Sequence, residues 1–142
     1  MFSKACKYGI RATLYIAQAG SLENPISLKE VAASIDTPPA FTGKILQKLV
    51  KAEIINSIKG PGGGFHSSRT DSVKLKDIVV AIDGSGLLTG CGMGLSECNS
   101  LKPCPLHYDI IKTRVKIKEM LESKTLNEIV GELDLNEIFL KR

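Results

Sequence analysis

The sequence predicts a mainly α protein with a small β-hairpin wing, a winged helix-turn-helix joined to a long dimerisation helix. Three observations carry that prediction. Two short apolar-periodic segments meet at Asp36-Thr37-Pro38-Pro39, a glycine-rich hairpin at residues 59–66 follows them directly, and an apolar seam runs on from about residue 105 to residue 123. The expected division is a winged helix-turn-helix over 1–83, a cysteine-bearing loop over 84–107, and a dimerisation helix with a C-terminal helix over 108–142, the first helix also able to pack in the dimer region.

The totals fit such a chain. Its 142 residues, 43% hydrophobic and 24% charged, can bury one core or one small domain with a dimerisation appendage. No apolar run approaches the roughly 18 residues of a membrane span. The opening Met1-Phe-Ser-Lys-Ala-Cys-Lys7 lacks a signal peptide's apolar segment, so a reducing cytoplasm is expected. There, four cysteines point to metal or redox chemistry rather than disulfides. Residues 1–76 carry eleven Lys/Arg against five Asp/Glu, and residues 77–142 eight against ten, so a net +6 faces a net −2. Phosphate neutralisation draws on such a basic half, although charge alone equally fits a solvated face.

Residues 3–19 read as an amphipathic helix capped by Ser3 and stopped by Gly20, with Ala5, Tyr8, Ala12 and Tyr15 on one stripe and Ile10, Leu14 and Ala17 on the next. Ser27 and Glu30 form a capping box for a helix burying Leu28, Val31, Ala32 and Ile35. Thr37 can cap the next helix and Pro38 suits its first position; that helix runs to about Ala52 and buries Phe41, Ile45 and Leu49. Two short helices about a tight turn offer the second to a DNA major groove, and Lys44, Lys48 and Lys51 share its polar face; a generic helical hairpin is the alternative. Ile54–Ile58 and Phe65–Ser68 are expected strands, and the glycines between them let backbone approach DNA where Lys59 meets phosphate. His66 is expected to be solvated or in contact with phosphate. Leu75–Ile82 reads as a helix with Ile78, Val79 and Ile82 inward, and Pro105–Ser123 as the long helix. In that helix Ile110, Ile117 and Leu121, with Ile111 and Val115, form a seam long enough to meet a second copy, packing within one chain being the alternative. Thr125–Leu133 is a short capped helix before a charged tail.

Between Cys91 and His107 lie three of the four cysteines and one of the two histidines, in a Gly-, Pro- and Ser-rich context. Soft thiolates and an imidazole suit an iron–sulfur cluster. Cys91, Cys98, Cys104 and His107 are the candidate ligands. Zinc remains open, since three cysteines and a histidine also form a structural zinc set, but zinc ligands come in pairs two to four residues apart and here Cys104 and His107 alone come that close. Metal-free redox thiols are a second alternative, and a small electron-transfer protein a third that has no use for the wing. Cys6 lies outside the set as a half-buried small residue. Glu97 and Asp109 form no acid/base pair, and no nucleophile–base constellation is present, so no enzyme is expected.

Tyr8-Gly-Ile-Arg-Ala-Thr-Leu-Tyr-Ile-Ala17, Ile26-Ser-Leu-Lys-Glu-Val-Ala32 and Gly60-Pro-Gly-Gly-Gly-Phe65, with three cysteines at intervals of seven and six positions and His107 beyond, resemble the IscR/NsrR regulators of the Rrf-two superfamily along almost the whole chain. The resemblance implies a homodimeric DNA-binding transcription regulator, expected to be a repressor. It also implies a 2Fe–2S cluster on Cys91, Cys98, Cys104 and His107 that senses cluster status, nitric oxide or oxidative stress. Some nitric-oxide sensors use an acidic ligand just before the position of Tyr8; here that residue is Lys7, whose ammonium cannot ligate, which favours His107. The DNA surface expected on this basis comprises Ser27, Pro38, Ala40, Phe41, Lys44, Lys48, Lys59, Gly60, Pro61, Gly62 and Gly63. Lys59 stands where the family usually has arginine, which keeps the charge but loses bidentate readout. Pro38, Ala40, Gly43 and Lys44 replace residues that are commonly polar, so the operator does not transfer from a relative.

Overall fold

A computed structural model describes residues 1–134; the charged tail expected after Leu133 lies, from residue 135 on, outside the described residues. The chain runs α1 (Lys4–Ala19), α2 (Leu28–Ser34), α3 (Pro39–Lys51), β1 (Asn56–Ile58), β2 (Gly64–His66), α4 (Leu75–Asp83), α5 (Gly86–Thr89), α6 (His107–Glu122) and α7 (Leu126–Asp134). This is the mainly helical architecture with a two-stranded wing that the sequence predicts. Among the described residues no helix is long and apolar enough to cross a membrane.

Ser3 caps α1 by accepting from Cys6 N–H. The first turn of α1 holds no acid of its own, and Asp83, at the end of α4, supplies one. Its Oδ2 accepts from Ser3 N–H at 3.0 Å while its Oδ1 accepts from the Ser3 hydroxyl, so a carboxylate meets the positive end of the α1 dipole. The buried stripe of α1 is displaced from the expected one: Cys6, Gly9, Ala12, Thr13, Leu14 and Ile16 are buried, whereas Ala5, Tyr8, Ile10, Tyr15 and Ala17 are half-buried. Cys, Gly and Thr carry little weight in an apolar count, yet they are what lets α1 approach its neighbours. A Cβ on Gly9 would lie 2.0 Å from Ile82 Cδ1, so the glycine leaves that space for the Ile82 side chain where α4 packs on α1.

The α2 capping box forms in full, Glu30 N–H donating to Ser27 Oγ and Ser27 N–H to Glu30 Oε2. The start of α3 needs correction. Pro39, not Pro38, is the first helical residue, because Pro39 forces the residue before it into extended backbone and Pro38 sits at φ −56, ψ 136. Thr37 is thereby one residue too early to cap and donates instead to Ile35 O. Ile45 and Leu49 are buried as expected, together with Thr42 and Leu46, while Phe41 is only half-buried.

Both strands are shorter than expected. Ile54 and Ile55 enter the core as a lead-in, and Asn56, Ser57 and Ile58 pair with His66, Phe65 and Gly64. Ile26 adds a third edge, exchanging two backbone hydrogen bonds of 2.8 Å with Phe65. The wing is therefore fastened to the residue that precedes the α2 cap.

Ile78, Val79 and Ile82 point inward from α4 as expected. Thr125 and Glu128 cap α7 reciprocally. One hydrophobic cluster spans the chain and includes Ile16, Ile35, Leu46, Leu49, Ile78, Leu121 and Leu126. Part of the expected α6 seam belongs to this core: Leu121 is fully buried and Ile117 packs against the cluster. Another stripe of α6 is open, with Tyr108 65%, Val115 50% and Ile111 37% exposed, and Met120 is 47% exposed elsewhere on the helix. The single turn of α5, which docks on α6, was not expected from sequence.

Candidate metal centre and nucleic-acid interface

Most of the residues expected to meet DNA lie at the surface of α3 and the β1–β2 turn, and Ser27, Phe41 and Gly63 are half-buried. Lys44, Lys48 and Lys51 are exposed along α3, Pro38 and Ala40 are exposed at its start, and Ser27 is half-buried as the α2 cap. Phe41 is tied into the fold by edge-on packing against Tyr8, ring centroids 5.9 Å apart. At the wing tip Lys59, Gly60, Pro61 and Gly62 are exposed. Gly60 and Gly62 take φ of 92° and 73°, left-handed backbone that favours glycine, and Gly63 N–H closes the turn on Gly60 O at 3.0 Å. Gly63 is half-buried and serves the turn itself, because a Cβ there would stand 2.1 Å from Ile58 O. His66, the last residue of β2, is buried with 8% exposure, contrary to the solvated position expected of it.

Sequence reasoning missed Gly64. A Cβ on it would lie 2.5 Å from Ile26 O and 2.7 Å from the Ile26 carbonyl carbon. The glycine run is therefore needed for two reasons, an open tip and a close crossing with the chain before α2.

The loop between α5 and α6 carries the candidate ligands, and all four cysteines of the chain are free. Cys98 Sγ lies 3.4 Å from His107 Nδ1. His107 opens α6 with 3% exposure, its N–H donates to Cys104 O at 3.0 Å, and its Nε2 is buried without a hydrogen-bond partner among the described residues. Cys91 follows α5, half-buried, with Gly94 N–H donating to its carbonyl. Backbone N–H groups of Met93 and Leu95, then Gly94 with the Arg114 charge beside it, hold the Cys91 thiol below its ordinary range against the opposing effect of burial. Among the described residues no three His, Cys, Asp or Glu side chains converge as a ready metal cage. The fold thus brings Cys98 to His107 and leaves Cys91 and Cys104 outside that pair. Three thiols and an imidazole with an unpartnered buried nitrogen nonetheless fit a soft metal centre, since a ligand at Nε2 removes the cost of an orphaned polar atom.

Two further contacts shape this loop. Arg114 Nη2 donates to Gly90 O at 2.5 Å, and a Cβ on Gly92 would stand 2.8 Å from Ile110 Cδ1. The signal for Arg114 was available in the sequence, since it follows His107 by two helical turns on the same side.

Cys6 is fully buried rather than half-buried. Burial, then the charge and hydrogen bond of Asp83, push its thiol up to about 12. Burial also raises the Asp83 carboxyl, but hydrogen bonds from the Ser3 side chain and backbone and from Cys6, with Lys48 nearby, outweigh it and hold Asp83 below the usual carboxylate range.

The family model described as "Rrf2: Iron-dependent Transcriptional regulator" matches residues 2–132. The HTH-type transcriptional regulator IscR of Vibrio campbellii is 26% identical over 133 residues, covering 93% of this chain and 78% of that protein. Among solved structures, CymR, the global cysteine regulator of B. subtilis, superposes with a TM-score of 0.74 at 23% identity, covering 92% of this chain and 96% of its own. T. potens IscR does so with a TM-score of 0.75 at 22% identity, covering 99% and 93%. These two likenesses establish the fold. The relatives are transcriptional regulators, not enzymes.

Proposed function

This chain belongs to the Rrf2 family of iron-dependent transcriptional regulators, and from that premise we propose that it is a homodimeric DNA-binding repressor whose promoter affinity responds to an iron–sulfur cluster. Cys91, Cys98, Cys104 and His107 are the proposed ligands, and the 2Fe–2S type with one imidazole suits that donor set. Such a cluster, when bound, supplies one-electron redox chemistry and Fe–S bonds open to oxidants or nitric oxide. The pairing of Cys98 with a His107 ring whose other nitrogen is buried and unpartnered is the observation that carries this reading.

The chain's own residues divide the remaining work. Cys91, Cys98 and Cys104 offer thiolates from one loop, and His107 joins that loop to α6, so a change in the loop bears on the helix whose exposed Tyr108, Ile111 and Val115 stripe we assign to the second copy. Lys44, Lys48 and Lys59 neutralise phosphates, α3 enters the major groove with Pro38, Ala40 and Phe41 near its start, and Ser27 sits where the α2 cap meets the backbone. Gly60, Pro61, Gly62 and Gly63 let the wing press on the adjacent strand. With promoter DNA as the partner, its place of action is the cytoplasm.

A second reading, thiol-based regulation without a cluster, is favoured by the depressed thiol of Cys91. One experiment separates the two. Protein purified without oxygen is reddish-brown with iron and sulfide on the cluster reading, and Cys98→Ser abolishes the colour while keeping the fold and the dimer. A colourless protein with stoichiometric zinc, or without metal, defeats it.

A further inference from the structure

We propose that Arg114 is a positioning residue of the metal centre, its guanidinium holding the Cys91 arm of the loop against α6, the helix that also carries His107. The inference rests on the assignment of Cys91 and His107 as ligands.

Arg114 stands seven residues beyond His107, two turns along one side of α6 and about 10 Å away along its axis. From there Nη2 donates to the carbonyl of Gly90, the residue directly before Cys91, at 2.5 Å. On the other flank of Cys91, Gly92 lies flat on Ile110, where a Cβ would come within 2.8 Å of Cδ1 and 3.2 Å of Cγ1. Both neighbours of Cys91 are therefore pressed to the same helix, and α5 packs beside them. A cavity of about 320 Å³ remains between arm and helix, lined by Leu87, Cys91, Leu106, Ile110 and Arg114 among others. The far half of the loop is built differently. Leu95 and Leu101 are 57% and 91% exposed, and Cys98 reaches α6 through His107. The loop thus has one arm seated on α6 along both flanks of Cys91 and one that meets α6 at the Cys98–His107 pair while its leucines stand in solvent.

A fork of donors suits this task better than a flexible ammonium, because its planar geometry loses less freedom on binding a carbonyl. The fixed cation also lies beside the thiolate that ligation requires, so it favours the more negative, reduced state of a centre bound there.

The experiment compares wild type with Arg114→Ala, Arg114→Gln and Arg114→Lys. In the metal-free chain, amide hydrogen exchange of residues 86–95 speeds up about tenfold in Arg114→Ala, the effect of one lost hydrogen bond, with residues 107–122 unchanged. After anaerobic reconstitution, chelator-driven iron loss quickens by a similar factor in Arg114→Ala and is partly rescued in Arg114→Lys. The reduction potential falls in Arg114→Gln relative to Arg114→Lys, a shift that a merely structural role would not produce. Iron uptake by all variants, with equal exchange, equal iron loss and equal potentials, overturns the role of Arg114 alone. A wild-type chain that takes up no iron overturns the ligand assignment, and the positioning role with it, whatever the exchange rates.

Discussion

The sulfur of Cys98 stands 3.4 Å from Nδ1 of His107, and the far nitrogen of the same ring is buried with no hydrogen-bond partner among the described residues. A buried polar atom left unpaired costs about 1–3 kcal/mol. In the metal-free fold the ring thus carries a penalty that a ligand would lift. Replacing His107 by Ala therefore costs the apo protein about 1 kcal/mol or less by urea unfolding, because removing the orphan offsets the lost packing. The same substitution strips iron-dependent colour from the reconstituted protein. A loss of 3 kcal/mol or more in the apo protein would instead mark His107 as an ordinary core residue.

Gly64→Ala places a methyl group against the Ile26 carbonyl, where neither backbone can yield cheaply. It should cost about 1–3 kcal/mol, as overpacking does, and weaken promoter binding because the wing and the α2 cap share that crossing. Denaturation and gel shifts on the same variant check both halves. Unchanged stability would mean that the Ile26–Phe65 bridge contributes little.

Much of the fold was legible because its signals are local. Ser27 with Glu30 and Thr125 with Glu128 announce helix starts through side chains three residues apart, and both capping pairs form. The Gly60–Gly64 run announced a wing. What the sequence hid depends on contacts between distant positions. The Ile26 edge is a single bridged residue with no periodicity, His66 is buried at the end of a strand of only three residues, and Cys6 is buried where α4, ending in Asp83, packs on the start of α1. Two adjacent prolines fit either start of α3 until the backbone of Pro38 is known. In the candidate site, residue types pointed to soft-metal chemistry and the seven-residue step from His107 put Arg114 on the same side of α6, but its contact with Gly90 depends on how the loop folds back on the helix.

Phosphate contacts make DNA affinity fall with salt in proportion to their number. Single Ala substitutions of Lys44, Lys48 and Lys59 should each reduce the slope of log affinity against log salt by about 1, uniformly across DNA sequences. Gel shifts at several salt concentrations measure it. A slope unaltered by any of the three removes them from the interface.

Cys6 and Cys91 should part company in reactivity. In apo protein at neutral pH, iodoacetamide modifies Cys91 before Cys6, because backbone N–H groups lower the first thiol from its ordinary range while burial pushes the second up to about 12. Cys6 also sets an alkaline limit. Above the ordinary thiol value of 9.0 the unfolded chain gives up a proton that the folded chain keeps, so stability falls as pH rises from there toward about 12. Cys6→Ala flattens that part of the profile. Equal labelling of the two thiols would contradict the placement of Cys6.

The most direct test is promoter affinity of the same anaerobic preparation before and after its metal is removed, with iron and sulfide assayed in parallel. A bound cluster and a change in affinity of about fivefold or more, the scale of a coupling near 1 kcal/mol, is the expected result. A preparation that binds no iron, or one whose DNA affinity is the same with and without it, would contradict the account.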